Sequence, residues 1–289
     1  MTDVFIRGTL GDINYRYIAA SAFRSIQHIW ITHRMQPQPA VLLGQAAMAA
    51  FLLSARGTKE DDQTVGLHFE CDGPIRRLIT FGRFDGGLRG QAAEPSIHWN
   101  GSIEDGKGSG MLTVSLFQDH SRKVYGSSVA FDHRPISNNI MSYIEQSEQV
   151  HVLCEIGVFT GDTISKISDS IDNMSSTGIY GIFFEALPGA SNKDQDALLH
   201  FLSEESRFRP IREQGQLPIL PGILAKGNLF SYCDCSREKI ERLIIAMGKD
   251  EAMQIVKEFK KIEVTCEFCC KKYQFTEPEV AAIFVEDSV

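Results

Sequence analysis

The residues best suited to chemistry are five cysteines near the carboxyl end of the chain. Cys233 and Cys235 form a C-x-C pair, and Cys266 and Cys269 form a C-x-x-C pair that Cys270 follows directly. Four thiolates can fill a tetrahedral shell, which is the arrangement that Zn²⁺ takes in structural sites. The spacing therefore predicts a metal site of Cys233, Cys235, Cys266 and Cys269 for one Zn²⁺, with Cys270 as an additional thiol of unassigned role.

The segment between the two pairs must bring them together. Thirty residues separate Cys235 from Cys266, and they have the pattern of helix rather than loop. Apolar residues recur there at helical spacing, which predicts two core-facing stripes. The stripes are Ile240, Leu243, Ile244 and Met247, then Ala252, Ile255, Val256 and Phe259. A small hairpin is expected around Cys266 and Cys269, and Thr276 with Glu279 offers a capping box for a last helix.

The paired thiols can also carry redox chemistry. Zinc binds thiolates, so forming disulfides from them would release the metal. A module of about 57 residues is small for an independent fold and usually depends on a staple of this kind. Oxidation is therefore expected to convert a folded module into a largely unfolded one. The alternative from spacing alone is a purely structural zinc site.

Upstream of the cysteine module, the chain has the pattern of an α+β domain with an antiparallel sheet. Glycine-rich turns separate short predicted strands. These strands are Val65–Cys71, Arg76–Arg83, Leu88–Ala92, Met111–Phe117 and Lys123–Phe131. The apolar run from Ala40 to Ala55 predicts a buried core helix, because it is too short to span a bilayer comfortably. Cys71 and Cys154 fall in predicted strands and are expected to be buried and inert.

The residues after this domain change in character. Arg207–Gly227 is rich in proline, glycine and charge but also contains apolar residues that must dock on something;. We therefore expect three parts: an α+β core domain over residues 1–190, an apolar linker over 191–231, and a small redox-switch zinc-binding α+β domain over 232–289.

Composition limits the possible functions. The chain of 289 residues has 43% hydrophobic residues, 23% charged residues and a formal net charge of −8, which is typical of a globular protein and not of a nucleic-acid binder;. The amino-terminal residues show no secretory signal, and no membrane association is expected. We expect a cytoplasmic location, where paired thiols favour metal or redox roles over permanent disulfides.

The cysteine module resembles the zinc domain of the redox-regulated thirty-three-kilodalton heat-shock chaperonin family. The matching blocks are Cys233–Lys239, Ile262–Cys269 and Tyr273–Phe275. Upstream blocks are similar to motifs of the family's core domain. They are Leu43–Gln45, Gly108–Val114, Tyr125–Gly126, Tyr143–Gln149 and Leu187–Ala190. The similarity covers nearly the whole chain.

The resemblance implies an ATP-independent holdase that is inactive when reduced and zinc-loaded. By that resemblance, Cys233, Cys235, Cys266 and Cys269 are the metal ligands, and oxidation forms the disulfides Cys233–Cys235 and Cys266–Cys269. Zinc release then unfolds the carboxyl-terminal domain and linker and exposes surface that binds unfolding client proteins. The family's oxidised form is a homodimer. Three features depart from the family pattern: the extra Cys270, a proline-rich linker without an acidic stretch, and Glu185 in place of glutamine.

Two other functions fit parts of the sequence. A structural zinc ribbon that binds nucleic acid or a protein partner is the main alternative, and the acidic net charge counts against nucleic acid. A thiol oxidoreductase using Cys266 and Cys269 lacks a thioredoxin-like βαβ context. All eight histidines lie outside the cysteine module, and hydrolase motifs such as H-E-x-x-H and G-x-S-x-G are missing;. We therefore expect no enzymatic activity and assign no catalytic residue.

Overall fold

The computed structural model describes residues 3–57, 63–118, 124–160 and 171–286 of the chain. It divides into two compact units, Met1–Tyr232 and Cys233–Val289. Both units mix helices with antiparallel strands, as the sequence predicts.

The first unit is built on two β-sheets. Its strands are β1 (Val4–Leu10), β2 (Ile13–Ala22), β3 (Gln63–Cys71), β4 (Arg77–Arg83), β5 (Gly87–Ala92), β6 (Gly110–Gln118), β7 (Val124–Phe131), β8 (Val152–Thr160), β9 (Thr177–Ala186), β10 (Ile223–Asn228) and β11 (Phe230–Ser231). One sheet has the order β10-β1-β2-β9-β8, and the other has the order β11-β5-β4-β3-β6-β7. All pairings are antiparallel except that of β11 with β5. The strands predicted between residues 65 and 131 are confirmed as β3 to β7, with Lys123 outside the described residues.

Five α-helices accompany these sheets in the described part of the first unit. They are α1 (Arg24–Thr32), α2 (Pro37–Ser54), α3 (Ile136–Ser147), α4 (Asn192–Leu202) and α5 (Glu205–Gln214). The apolar run predicted as a core helix lies within α2, which begins at Pro37 because proline at the first helical position loses no hydrogen bond;. This helix is 18 residues long with a mean hydropathy of 1.2, which would suit a membrane span, but 83% of it is buried inside the protein.

Helix α2 packs against strands of both sheets, so a single hydrophobic core joins them. Gly82 on β4 allows this close approach, because a Cβ atom there would lie 2.2 Å from the backbone nitrogen of Phe51. Gly181 of β9 likewise lets the helix approach, because the side chains of Met48 and Leu52 occupy the space that a Cβ atom there would need. The helix is therefore the element around which the first unit is packed.

Residues 191–231 contain two helices and two strands of the first unit. The sequence pattern predicts a linker through Pro210, but α5 continues past this proline because Phe208 and Ile211 are buried against the sheet. Arg212 of α5 makes two hydrogen bonds of 2.7 Å with the carboxylate of Glu155 on β8. Burial of this face outweighs the helix-breaking effect of the proline. The apolar residues of this segment dock only in part, since Ile219 is 95% exposed.

Glu185, one of the departures from the family pattern, lies in a buried ionic network. Its carboxylate accepts hydrogen bonds of 2.7 Å from Arg16 Nε and of 2.7 Å from an Arg56 terminal nitrogen. Burial by itself would raise the pKa of Glu185, but the two guanidinium groups hold it below its usual value;. The carboxylate is therefore charged and paired at neutral pH.

The second unit is a small α+β module. It contains α6 (Arg237–Met247), α7 (Lys249–Phe259), β12 (Lys261–Thr265), β13 (Lys272–Thr276) and α8 (Glu277–Glu286). Strands β12 and β13 form the predicted hairpin, and Glu279 accepts the predicted capping hydrogen bond from the Thr276 amide. One face of each helix and strand of this unit contributes to its hydrophobic core. Its buried apolar residues are Ile240, Ile244, Ala252, Val256, Ile262, Tyr273, Phe275 and Val280.

The predicted apolar stripes of α6 and α7 are only partly correct. Leu243, Met247 and Phe259 are exposed, with Leu243 at 62% and Phe259 at 64%. Each of these helices has only 11 residues. A unit this small has too little interior to cover every apolar residue, so the prediction that both stripes lie wholly in the core is wrong for these three.

Candidate metal centre

The two cysteine pairs lie at the ends of local structures that fix their directions. Cys233 and Cys235 precede α6, whose first turn is capped by a hydrogen bond of 3.2 Å from the Lys239 amide to Ser236 Oγ. Cys266 and Cys269 lie in the turn that joins β12 to β13. In that turn the Cys266 amide donates to the Lys271 carbonyl at 2.9 Å.

The structure brings all four predicted ligands together. Their sulfur atoms lie within 4.8 Å of one another, and all four side chains are half-buried. Cys233 Sγ is 3.6 Å from Cys266 Sγ, and Cys235 Sγ is 3.3 Å from Cys269 Sγ. Each close contact joins the α6 end of the unit to the hairpin, so the cluster bridges segments that are more than thirty residues apart in sequence.

This arrangement fits a single metal ion. Four sulfurs bound tetrahedrally at about 2.3 Å from one ion would lie about 3.8 Å from each other. The observed separations lie close to that value, so only small side-chain movements would be needed. A set of four thiolates suits Zn²⁺ and iron–sulfur centres and does not suit Mg²⁺ or Ca²⁺.

Comparison with known proteins identifies the family. The sequence model of the family described as Hsp33 protein matches residues 3–276. The chain belongs to the Hsp33 family.

Related proteins agree with this assignment along their full lengths. The 33 kDa chaperonin of Desulforamulus reducens is 26% identical over 298 residues, covering 98% of this chain and 97% of that protein. The 33 kDa chaperonin of a Thermoanaerobacter species is 28% identical over 293 residues, covering 96% of each. The crystal structure of the 33 kDa chaperonin from Thermotoga maritima has the same fold, with a TM-score of 0.80 at 20% identity over 100% of this chain and 99% of that one.

Membership of the Hsp33 family supports a chaperone function, for which the partners are unfolded client proteins. The relatives are named chaperonins, and these names indicate no enzymatic activity. The cysteine cluster of this Hsp33 family member could hold a metal ion.

Burial and hydrogen bonding shift the pKa values of three of the four thiols in different directions. Burial alone would raise the pKa of the Cys235 thiol, but hydrogen bonds from Tyr273 Oη at 3.1 Å and from the neighbouring thiols lower it to about 7. Burial raises the pKa of Cys233 and of Cys269 above the usual thiol value. Of these three sulfurs, Cys235 is thus the first to become a thiolate, which is the form that binds metal;.

The hydroxyl of Tyr273 is the functional contact that sequence reasoning missed. Tyr273 was expected only as a residue of the hairpin next to the C-x-x-C pair. Alternation along β13 places Tyr273 and Phe275 on the buried face, and the ring of Tyr273 is long enough to reach Cys235;. The alternation along β13 therefore indicates that Tyr273 is buried. It does not indicate the hydrogen-bond partner of Tyr273, because Cys235 is 38 residues away in the sequence.

The three remaining cysteines lie outside the cluster. Cys270 is exposed, has a left-handed backbone with φ of 57°, and donates its amide to the Cys266 carbonyl at 2.9 Å. Cys71 and Cys154 lie on β3 and β8, as predicted, and are half-buried against the core of the first unit. Burial raises the pKa of Cys71 to about 12 and also raises that of Cys154, so both are poor nucleophiles at neutral pH;.

Proposed function

We propose that this Hsp33 family member is a redox-regulated, ATP-independent holdase whose reduced, zinc-bound form is inactive. The observation that carries the proposal is the cluster of four half-buried thiols within 4.8 Å inside a unit with a small hydrophobic core. Zn²⁺ is the metal we assign, because four thiolates with no open position are the donor set of structural zinc sites.

Folding of the second unit depends on the thiol cluster. Bound Zn²⁺ supplies a cross-link among four thiolates. Two of these precede α6 and two lie in the hairpin turn, so the cluster ties the amino-terminal end of the unit to its hairpin. Cys235 and Cys266 also pack against that core. Loss of the cross-link is therefore expected to unfold the second unit.

Oxidation breaks the cross-link by consuming the thiolates. In each pair, two thiolates transfer two electrons to one molecule of peroxide, which takes up two protons from solvent; one S–S bond forms, two molecules of water leave, and the pair no longer binds the metal. We assign the disulfides as Cys233–Cys235 and Cys266–Cys269. These local disulfides leave the segment before α6 unconnected to the hairpin, whereas cross-pairs such as Cys233–Cys266 would keep the unit stapled.

The unfolded unit supplies apolar surface for clients. Its buried residues become exposed together with the apolar side chains of the proposed linker, residues 191–231, while the proposed core domain, residues 1–190, stays folded. We further propose that the oxidised protein is a homodimer and that it acts in the cytoplasm, where thiols are reduced until oxidative stress occurs.

One titration tests the proposal. The reduced protein, loaded with zinc, is treated with increasing peroxide or hypochlorite, and three quantities are followed: zinc release, protease sensitivity of residues 233–286, and suppression of client aggregation. All three should change together. Cys71→Ser, which removes a thiol outside the cluster, serves as the matched control and should behave as wild type.

Two results would contradict the proposal. Equal suppression of aggregation by the reduced, zinc-loaded protein would exclude a redox switch. Zinc release without protease sensitivity would show that the cluster and the fold are independent. Peptide mapping of the oxidised protein distinguishes the proposed local disulfides from the cross-pairs.

A further inference from the structure

Strand β7 forms one outer edge of the six-stranded sheet in the first unit. It runs from Val124 to Phe131 and pairs with β6 along its whole length, from Gly110 opposite Phe131 to Phe117 opposite Val124, without a shift in register. It is the last strand of the sheet order, so its second side has no neighbouring strand within the described residues.

The hydrogen-bond pattern decides which groups of β7 face outward. The Asp72 amide donates to the Ser109 carbonyl at 2.9 Å, so Cys71 and Gly110 are a non-hydrogen-bonded pair between β3 and β6;. Gly110 therefore directs its amide and carbonyl toward β7, and Phe131 opposite it is bonded to β6.

Alternation along β7 then turns the backbone of every second residue away from the sheet. The outward residues are Val124, Gly126, Ser128 and Ala130;. Their backbone groups have no hydrogen-bond partner on that side among the residues that the structure describes. The edge thus presents four N–H and four C=O groups that are ready to pair.

Other edge strands of the first unit carry the features that normally prevent pairing. Strand β10 contains Lys226 and follows Pro221, β8 is flanked by α5 through the Arg212–Glu155 ion pair, and β11 has only two residues;. Strand β7 has eight residues with no charge, no proline and no bulge. Its open edge therefore lacks the usual protection against added strands.

The side chains beside the outward groups are small. Gly126, Ser128 and Ala130 are all exposed, and the largest of these side chains is the serine hydroxyl, which is 2.8 Å from Thr113 Oγ1. An incoming extended segment would meet neither a bulky side chain nor a charge at these positions. The edge thus fits an extended polypeptide of almost any sequence.

We propose that β7 binds an extended segment of an unfolded client protein as an added, seventh strand of this sheet. Strand addition relies on main-chain hydrogen bonds, which every polypeptide can make, and so matches a chaperone that must accept unrelated clients. The inference rests on the chaperone part of the proposed function and not on redox control. Apolar surface released from the second unit would add to this contact, because a single pair of strands is only marginally stable in water.

Residue-resolved hydrogen exchange of the full-length protein tests this proposal directly. The probe is a globular protein kept permanently unfolded by reduction and carboxymethylation, added to saturation. Exchange of the amides of Gly126, Ser128 and Ala130 should slow by at least about tenfold, since they gain partners. The amides of Ser127 and Val129 already bond to β6 and should not change.

Substitutions test the same edge by binding. Ser128→Pro removes one outward N–H and leaves the pairing with β6 intact, because proline is tolerated where the strand amide faces solvent. It should weaken binding of the unfolded protein by about fivefold. Ser128→Ala, the matched control, keeps the N–H and should stay within about twofold of wild type. Ala130→Lys places a charge at the edge, should also weaken binding, and does not depend on a proline being accommodated.

The outcomes separate this inference from the proposed function. Normal holding by wild type with unchanged exchange along β7 would overturn strand addition alone, as would equal binding by Ser128→Pro, Ala130→Lys and Ser128→Ala. Protection of the outward amides that rises with protein concentration in the absence of client would identify a second copy as the occupant and overturn the client assignment. Failure of the wild type to suppress aggregation in any redox state would refute the holdase function, while exchange with the unfolded probe would still decide the role of β7.

Discussion

Truncating one core ring in the second unit should reduce zinc affinity without touching a ligand. Phe275 is fully buried, at 0% exposure, and its ring centroid lies 4.2 Å from the guanidinium carbon of Arg237. Replacing a buried phenylalanine with alanine costs about 3–5 kcal/mol of folding free energy. If metal binding and folding are coupled, the same free energy is lost from apparent zinc binding. Because each 1.4 kcal/mol is about tenfold, Phe275→Ala should bind zinc roughly two to three and a half orders of magnitude more weakly.

The assay is competition for zinc between the reduced protein and a chromogenic chelator at fixed pH. Phe259→Ala is the matched control, because it removes the same atoms from a ring that is 64% exposed in the same unit. A surface truncation of this kind changes stability by about 0.5 kcal/mol or less, so the zinc affinity of the control should change by about twofold at most.

Two measurements would refute the coupling. Wild-type zinc affinity in Phe275→Ala would show that the thiol cluster forms its site independently of the packed core. Zinc-free Phe275→Ala protein whose residues 233–286 still resist protease would show that the core does not need the metal. In either case the unfolding step proposed for activation would lose its physical basis.

Further predictions concern single residues. Glu185→Gln should destabilise the first unit by about 1–3 kcal/mol, because it removes the buried carboxylate that pairs with Arg16 and leaves Arg56 with only the more exposed Glu148 as counter-ion;. Urea unfolding followed by the fluorescence of the two tryptophans, both in that unit, measures the loss;. The pKa of Glu185 is held below its usual value, so its carboxylate stabilises the fold above about pH 4.5, and the difference from Glu185→Gln should shrink as the pH falls below that value;. Cys270→Ser should keep one zinc per chain, whereas Cys269→Ser should reduce zinc content when bound metal is measured after desalting;.

Local patterns predict most of the strands and the cysteine cluster. The alternation in β3 to β7 and the glycine turns between them depend on neighbouring residues, so the sequence contained enough information to find them;. The four clustered cysteines were found in the same way, because C-x-C and C-x-x-C pairs each fix two sulfurs locally;.

Features that depend on distant contacts could not be predicted in this way. Nothing local indicates that the strands divide into two sheets with α2 packed against both. Helix α5 runs through Pro210 because Phe208 and Ile211 are buried by partners elsewhere in the chain. The exposure of Leu243 and Phe259 follows from how little interior the second unit has, which no helical period reveals;.

The two proposed surfaces have different physical origins, and this difference explains how one chain can hold many clients. In the proposed function, the second unit offers its buried apolar side chains to clients once its thiols are oxidised. The β7 edge offers backbone groups in the large first unit, whose core does not depend on the thiols. Apolar contact without backbone pairing is undirected, and strand pairing without apolar contact is marginal in water. A client held by both surfaces would therefore bind more tightly than a client held by one. Oxidation would control client binding even though only the apolar surface of the second unit responds to it.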